Sequence, residues 1–310
     1  MVTQPTESSY GQILKSTTLV GGSQVINILI GIVRTKFMAM LLGPAGVGLI
    51  GMYQAVIEMV GMVTGLGIGS SGVRQIAEAA GSGDETRIAR TVYTLRRTAL
   101  FLGVIGMLVT MALSTPLSFF TFGNREHAWA IAVLGVTLLM GSVSSGQAAL
   151  VRGMRRIADL ASMSVIGAVL GTGLSVPIIY LWGEKGIVPS LLAVSAATIL
   201  PSWWYARRIK VRGVSLYVGE IIREARGLVS LGLVFMASGV MVTGVMYLIR
   251  VLVVSGLGME SVGLYQSATT LSTMYIGIVL NAMGMDFYPR LTAVAEDNAA
   301  INRLVNEQTE

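Results

Sequence analysis

The stretch Leu42-Gly43-Pro44-Ala45-Gly46-Val47-Gly48-Leu49 returns 215 residues later as Leu257-Gly258-Met259-Glu260-Ser261-Val262-Gly263-Leu264, identical at its first two and last three positions. Around it the spacing is 216: Arg34 pairs with Arg250, Arg74 with Arg290 and Arg87 with Arg303, so one residue has been gained or lost between the copies. Self-similarity at so long a period, in a chain of apolar helices, predicts a transporter of two related halves that handles its substrate where they meet.

The chain is 53% hydrophobic and 12% charged, with mean hydropathy +0.72, which excludes a soluble globular domain with an ordinary charged surface. Eight membrane spans are expected: Ser16 to Leu42, Val47 to Gly69, Thr98 to Phe120, Ala128 to Leu150, Leu160 to Trp182, Gly186 to Tyr205, Leu228 to Gly256 and Val262 to Met285. At about 1.5 Å per residue each crosses the roughly 30 Å of hydrocarbon. The segments are too long for strands and do not alternate, so the fold class is all-α and polytopic. The first apolar run far exceeds a signal-peptide core and is expected to stay as the first span.

Of the 22 Lys and Arg, 17 fall on one side of this topology, only Arg125 and Lys185 on the other, and Arg34, Lys36 and Arg250 within spans. The positive-inside rule then places both termini in the cytoplasm. The basic pI of 9.7 is explained by these span-flanking loops, so no nucleic acid is expected as a partner. With no cysteine in the chain, disulfides and thiolate metal sites are excluded.

Three units follow: residues 1–206 as an N-lobe of six spans, 207–227 as a cytoplasmic linker, and 228–310 as the start of a C-lobe with two spans. Within the linker, Tyr217 to Arg226 reads as a short amphipathic helix lying at the membrane interface. The second loop is helical in pattern and broken at Gly81-Ser82-Gly83-Asp84, where glycine ends one helix and aspartate caps the next. The repeat sets Glu310 level with Thr94, so the second half is expected to stop after two of its six spans, as a fragment or a truncated product.

Polar residues recur on helical faces inside the spans. Gln24, Asn27, Gly31 and Arg34 lie within about 80° of arc on the first. Gly239, Thr243, Tyr247 and Arg250 repeat the stripe on the seventh, and Gln54, Glu58, Gly61 and Gly65 share a face of the second. A charge at the bilayer centre costs about 3 kcal/mol on insertion scales, so such groups face a wet cavity or a partner. Arginine keeps its proton and its planar fork matches phosphate oxygens. The stripes therefore predict a cationic substrate cavity built from Arg34, Arg250, Gln24, Asn27, Gln54, Glu58, Thr243 and Tyr247, for an anionic or phosphorylated substrate.

Snorkelling to the outer interface is the competing reading for Arg34 and Arg250, and the favoured one for Lys36, which points about 120° away from the stripe. Glu58 reads either as a proton or cation site or as the ion-pair partner of an arginine. Gly61, Gly65 and Gly69, like Gly167 and Gly171, form small-residue ladders for helix packing. Gly67-Ile68-Gly69-Ser70-Ser71-Gly72 satisfies a dinucleotide-loop pattern, but no strand precedes it, so it is read as coincidence. His127 is expected to be solvated in an outer loop. No paired carboxylates, metal-ligand cluster or nucleophile constellation suggests an enzyme, a metal or a cofactor.

Leu41 to Leu49, Leu150-Val151-Arg152-Gly153-Met154-Arg155-Arg156, Val262-Gly263-Leu264-Tyr265-Gln266 and Tyr288-Pro289-Arg290-Leu291 resemble the Wzx-type oligosaccharide-lipid flippases. These are the O-antigen and enterobacterial-common-antigen translocases in the polysaccharide transport family of the multidrug/oligosaccharidyl-lipid/polysaccharide exporter (MOP) superfamily. The resemblance covers nearly all of the chain. It implies a MATE-like fold of two six-helix lobes around a cavity that opens alternately to each side of the bacterial inner membrane. The implied substrate is an undecaprenyl-pyrophosphate-linked oligosaccharide of lipopolysaccharide biosynthesis, among membrane lipids, with a polysaccharide polymerase and chain-length regulator as candidate protein partners. Arg34 and Arg250 would lie on the cavity-lining first and seventh helices. The competing readings are a multidrug antiporter of the same superfamily, which would want an acidic cavity, a truncated membrane protein without transport, and a polytopic glycosyltransferase or polymerase, for which only Glu58 and Asp286 offer carboxylates within or at the end of spans.

Overall fold

In a computed structural model, the backbone is described for residues 9–293 apart from 210, 212, 213 and 215, together with 302 and 306. Side chains are described from 19 to 277, apart from these four gaps and residues 20, 218, 274 and 275, and at 302 and 306. Lys15, Lys210, Arg212, Asp286, Arg290, Arg303 and the Tyr288–Leu291 motif therefore lie outside the described side chains.

Every described element is helical: α1 (Ser9–Thr64), α2 (Ile68–Gly81), α3 (Glu85–Ala112), α4 (Ser114–Phe122), α5 (Ala128–Gly153), α6 (Ile157–Trp182), a 3-10 turn at Gly183–Gly186, α7 (Ile187–Arg207) and α8 (Val218–Ala293). Five apolar runs are long enough to cross a membrane, and three of them, at 44, 51 and 55 residues, are long enough to cross twice. Each of the three breaks once. The first breaks at Gly43 (φ 67°, ψ −176°) and the third at Gly258 (φ 83°, ψ 174°), the equivalent glycines of the repeated stretch. Only glycine adopts that conformation without strain, and Pro44 after Gly43 starts the returning helix without needing an N–H partner. The second run breaks at the 3-10 turn, from which α6 and α7 run antiparallel, Gly167 meeting Thr198 and Gly171 meeting Val194. Eight crossings are thereby accommodated.

Some expected boundaries move. The third span is divided at Leu113, because Pro116 in α4 has no N–H to offer the carbonyl of Ala112. The second stops at Thr64, and Leu66 (φ 46°) and Gly67 (φ 62°) turn the chain before α2. The break at Gly81 to Asp84 is as expected: the Asp84 carboxylate accepts hydrogen bonds from the backbone N–H groups of Thr86 (2.8 Å) and Arg87 (3.2 Å).

The expected interfacial helix of the linker is instead the first turns of α8, continuous with the span that follows. It is tied sideways to α3 rather than left free at the interface: Arg90 donates to Glu224 at 2.8 Å and to Glu220 at 3.4 Å, and the buried Thr94 hydroxyl donates to Glu224 at 2.9 Å. Substituting Glu224→Gln is expected to accelerate amide hydrogen exchange at the start of α8 without changing exchange in α6 and α7. Unaltered exchange there would show that the clamp holds nothing.

The two arms of the repeat meet through glycine. A Cβ on Gly48 would collide with the carbonyl oxygen of Met259, and one on Gly263 with that of Pro44; Gly48 and Gly263 also face each other's backbone N. Because these are the same position in the two copies, a local two-fold axis passes between them. On the basic side a second crossing brings Gly67 and Gly232 backbone to backbone, which gives Gly67 a packing role. Between the two crossings the second arm of α1 runs antiparallel to the first arm of α8, with Met62 over Gly239 and Met59 over Gly244.

Buried apolar clusters lie at both levels, around Leu95, Leu150, Val151 and Leu228 towards the basic side and around Tyr53, Ile131, Leu134 and Ile187 towards the other. Large apolar side chains including Phe101, Phe119, Leu181 and Leu200 are exposed on the periphery, where lipid is their natural solvent.

Candidate functional site

Two cavities open inside the first lobe, one on each side of α5. The first, about 570 Å³, lies between the first arm of α1 and helices α5, α6 and α7. It is lined by Gln24, Asn27 and Arg34 from α1, Ser144 and Arg152 from α5, Ser164 and Thr172 from α6, and Thr198 and Ser202 from α7. Its lining holds two guanidinium groups and no carboxylate. Asn27 Nδ2 donates to Ser164 Oγ at 2.6 Å while its buried Oδ1 has no partner. Arg34 is half-buried and makes no ion pair among the described residues, so its charge is available to whatever occupies the cavity.

The second cavity, about 530 Å³, lies between the second arm of α1, α3 and α5. Glu58, Thr137, Ser142, Ser145, Ser195 and the small-residue ladder Gly61, Gly65 and Gly69 line it. The ladder also packs on α5: a Cβ on Gly61 would lie 2.8 Å from Leu138 Cδ2 and one on Gly69 2.7 Å from Ser145 Oγ. Ala148 and Arg152 line both cavities, so the two adjoin at the basic end of α5.

The eight expected site residues are thus divided. Gln24, Asn27 and Arg34 share the first cavity, as their common face on α1 predicts. Glu58 is exposed into the second, where it interacts electrostatically with Arg250 without coming within ion-pair distance. Arg250 itself is half-buried, lines neither cavity and has a buried Nε without a partner. Gln54 and Thr243 are half-buried and line neither. Tyr247 departs from expectation: it is 6% exposed, shares a 2.6 Å hydrogen bond with Thr121 and stacks on Phe120, which makes it a seam between α8 and α4. Lys36 is exposed, in keeping with snorkelling.

His127 also departs from expectation. It is half-buried, 2.8 Å through Nδ1 from the Tyr53 hydroxyl and packed at 4.0 Å against Phe122. Burial pushes its pKa below the ordinary 6.5, the charge of Glu126 opposing this in part. The folded protein therefore prefers the neutral ring, and stability present above about pH 6.5 is lost as pH falls and the ring must charge. His127→Gln is expected to flatten the fall in melting temperature between about pH 7 and pH 5; an equally steep fall in the variant would assign it to other groups.

Arg152 is the residue that sequence reasoning missed. It was counted among the topological charges of a loop, yet it sits in the last turn of α5 with its side chain at the junction of both cavities. Its place at a helix end, where the macrodipole favours a cation, gives it a structural reason to be basic that sequence alone cannot separate from a place in a cavity wall.

A model of the polysaccharide biosynthesis protein family matches residues 13–294. The chain belongs to that family. It is 22% identical over 284 residues to the lipid III flippase of Escherichia coli (strain K12), covering 91% of this chain and 68% of that protein, and equally to that of Shigella flexneri. Among solved structures it is similar to a multidrug resistance MATE family transporter of the MOP superfamily in its inward-facing conformation, with TM-score 0.67, 18% identity, and 92% of this chain and 66% of that one covered. It is also similar to a MOP superfamily transporter from Pyrococcus furiosus described as having a binding pocket of reversed polarity, with TM-score 0.64, 19% identity, and 95% and 68% covered. The chain spans about two thirds of the length of these relatives. The expected MATE-like, multi-pass helical fold is therefore the fold of this protein.

Proposed function

We propose that this protein serves the movement of a lipid-linked oligosaccharide from the cytoplasmic to the periplasmic leaflet of a bacterial inner membrane, by alternating access between its lobes. The carrying observation is the first cavity, whose lining includes Arg34 and Arg152 and no carboxylate. A guanidinium fork suits the oxygens of a pyrophosphate and keeps its charge even where it is half-buried, as Arg34 is. The hydroxyls of Ser144, Ser164, Thr172 and Thr198 in the same lining suit the hydroxyls of a sugar. Undecaprenyl pyrophosphate carrying an O-antigen or related repeat unit is the substrate of this reading, and the family and the lipid III flippases support the class. The prenyl chain would stay in lipid while the head group crosses, a translocation that needs no covalent step. Both ends of this sequence lie on the cytoplasmic side in this reading, and a polysaccharide polymerase or chain-length regulator is a candidate partner.

Glu58 favours one second reading, export of a cationic drug, since it is the carboxylate of the second cavity. The adjoining Arg152 and the charge of Arg250 oppose a cation there. Reconstitution decides between them. Liposomes with a fluorescent undecaprenyl-pyrophosphate oligosaccharide are expected to show protein-dependent exposure of the sugar to a lectin on the far side, and no uptake of a cationic dye. Dye uptake without sugar exposure would reverse the reading.

A further inference from the structure

Outside both cavities, on the periphery of the first lobe, helices α3, α5 and α7 enclose a groove of about 300 Å³. Its polar lining is Arg96, Gln147 and Arg207, and its remaining walls are apolar. Gly146 forms part of the wall because it has no side chain: a Cβ there would come within 2.9 Å of Ala99 Cβ, so α3 and α5 pack closely at this point. Neither guanidinium has an acidic partner among the described residues. Arg207 lies 4.6 Å over the ring of Trp203, and no carboxylate lines the groove. Gln147 is held in place by the Ser202 hydroxyl, which donates to its Oε1 at 2.6 Å, leaving the amide NH₂ as a donor.

The surroundings fix the depth of this groove. Trp203 (51%), Trp204 (53%) and Leu100 (45%) are exposed beside it on the lipid-facing surface. Arg97 over Tyr93, and Arg208 over Trp204 and Tyr205, continue a band of aromatic rings capped by cations. Such a band marks the boundary between hydrocarbon and head groups. The groove therefore opens at head-group depth on the basic side, with cationic donors at its mouth and apolar walls below.

We infer that this groove is a binding site for an anionic phospholipid of the leaflet on the basic side, the phosphate taken by Arg96 and Arg207 and an acyl chain laid against Leu100 and Trp203. The site shares no lining residue with the two inner cavities and does not depend on what they carry. A soluble phosphate is the less suitable occupant, because most of the groove is apolar wall that only a chain would cover.

Native mass spectrometry of the full chain, released from detergent with phosphatidylglycerol or phosphatidylcholine added, tests this. The wild type is expected to retain phosphatidylglycerol in preference, and Arg96→Gln with Arg207→Gln to lower that preference about tenfold or more. Arg97→Gln with Arg208→Gln removes the same charge from side chains that lie on rings outside the groove, and is expected to keep the preference. Equal loss in both variants would overturn the site in favour of general surface attraction. Unchanged retention in the first variant would overturn it outright, and displacement of the lipid by inorganic phosphate would reassign it to a soluble anion. An unchanged melting temperature and elution volume show that each variant is folded.

Discussion

Gly263→Ala is expected to lower the melting temperature of the detergent-solubilised protein by roughly 5 °C or more, although a helical glycine replaced by alanine ordinarily gains up to about 1 kcal/mol. The gain is outweighed because the added methyl group meets the carbonyl oxygen of Pro44, a backbone atom of the other repeat arm. A flexible side chain could turn aside; a carbonyl within a helix moves only with its helix. Overpacking of this kind costs about 1–3 kcal/mol and more where the backbone cannot yield. Relief requires the arms to separate at the two-fold crossing, so disulfide cross-linking between cysteines introduced across it should fall with the melting temperature. Gly48→Ala is expected to act alike, meeting the Met259 carbonyl. Gly244→Ala is the control: its Cβ would sit 3.8 Å from the flexible end of Met59, so stability should hold or rise. Equal melting temperatures for the Gly263 and Gly244 variants would refute the crossing as the joint between arms.

Arg34→Glu is expected to reduce sugar exposure in the reconstituted assay by about 100-fold, and Arg34→Ala by about tenfold. Each hydrogen bond from a guanidinium to a charged group is worth about 1.5–3 kcal/mol, and reversal adds repulsion to the loss. Arg152→Ala should match Arg34→Ala, because both side chains face the same 570 Å³ cavity. The pair should be less than additive if they hold one pyrophosphate together. Lysine at position 34 should restore part of the activity, as it keeps the charge and loses the fork. Lys36→Ala, on the exposed side of the same helix, should leave the rate unchanged. Wild-type exposure by the Arg34→Ala, Arg152→Ala double variant would remove the arginines from the mechanism.

Much of the cavity was legible on α1 because one helix carries its own register: Gln24, Asn27 and Arg34 fall on one face by arithmetic, and that face is the one that lines the cavity. Arg152 was not legible, since its place in the cavity wall depends on which helices pack beside the end of α5. The contact of Tyr247 was not legible either: its place on the seventh-span stripe follows from periodicity, but its hydroxyl meets Thr121, 126 residues away, in a buried hydrogen bond that joins α8 to α4.

By itself the sequence determined what is local or periodic: an all-α chain in lipid, interruptions between Leu42 and Val47 and between Gly256 and Val262, a cap at Asp84, and two related arms. These follow from backbone sterics, hydropathy and spacing, which act within a few residues or repeat along the chain. Only the tertiary structure decided which polar faces share a space, that Gly48 and Gly263 of the repeated stretch touch across a two-fold axis, and that Arg34 is joined by Arg152 rather than by its repeat partner Arg250. Those outcomes depend on packing between helices distant in sequence, where the approach permitted by a missing Cβ sets which side chains meet.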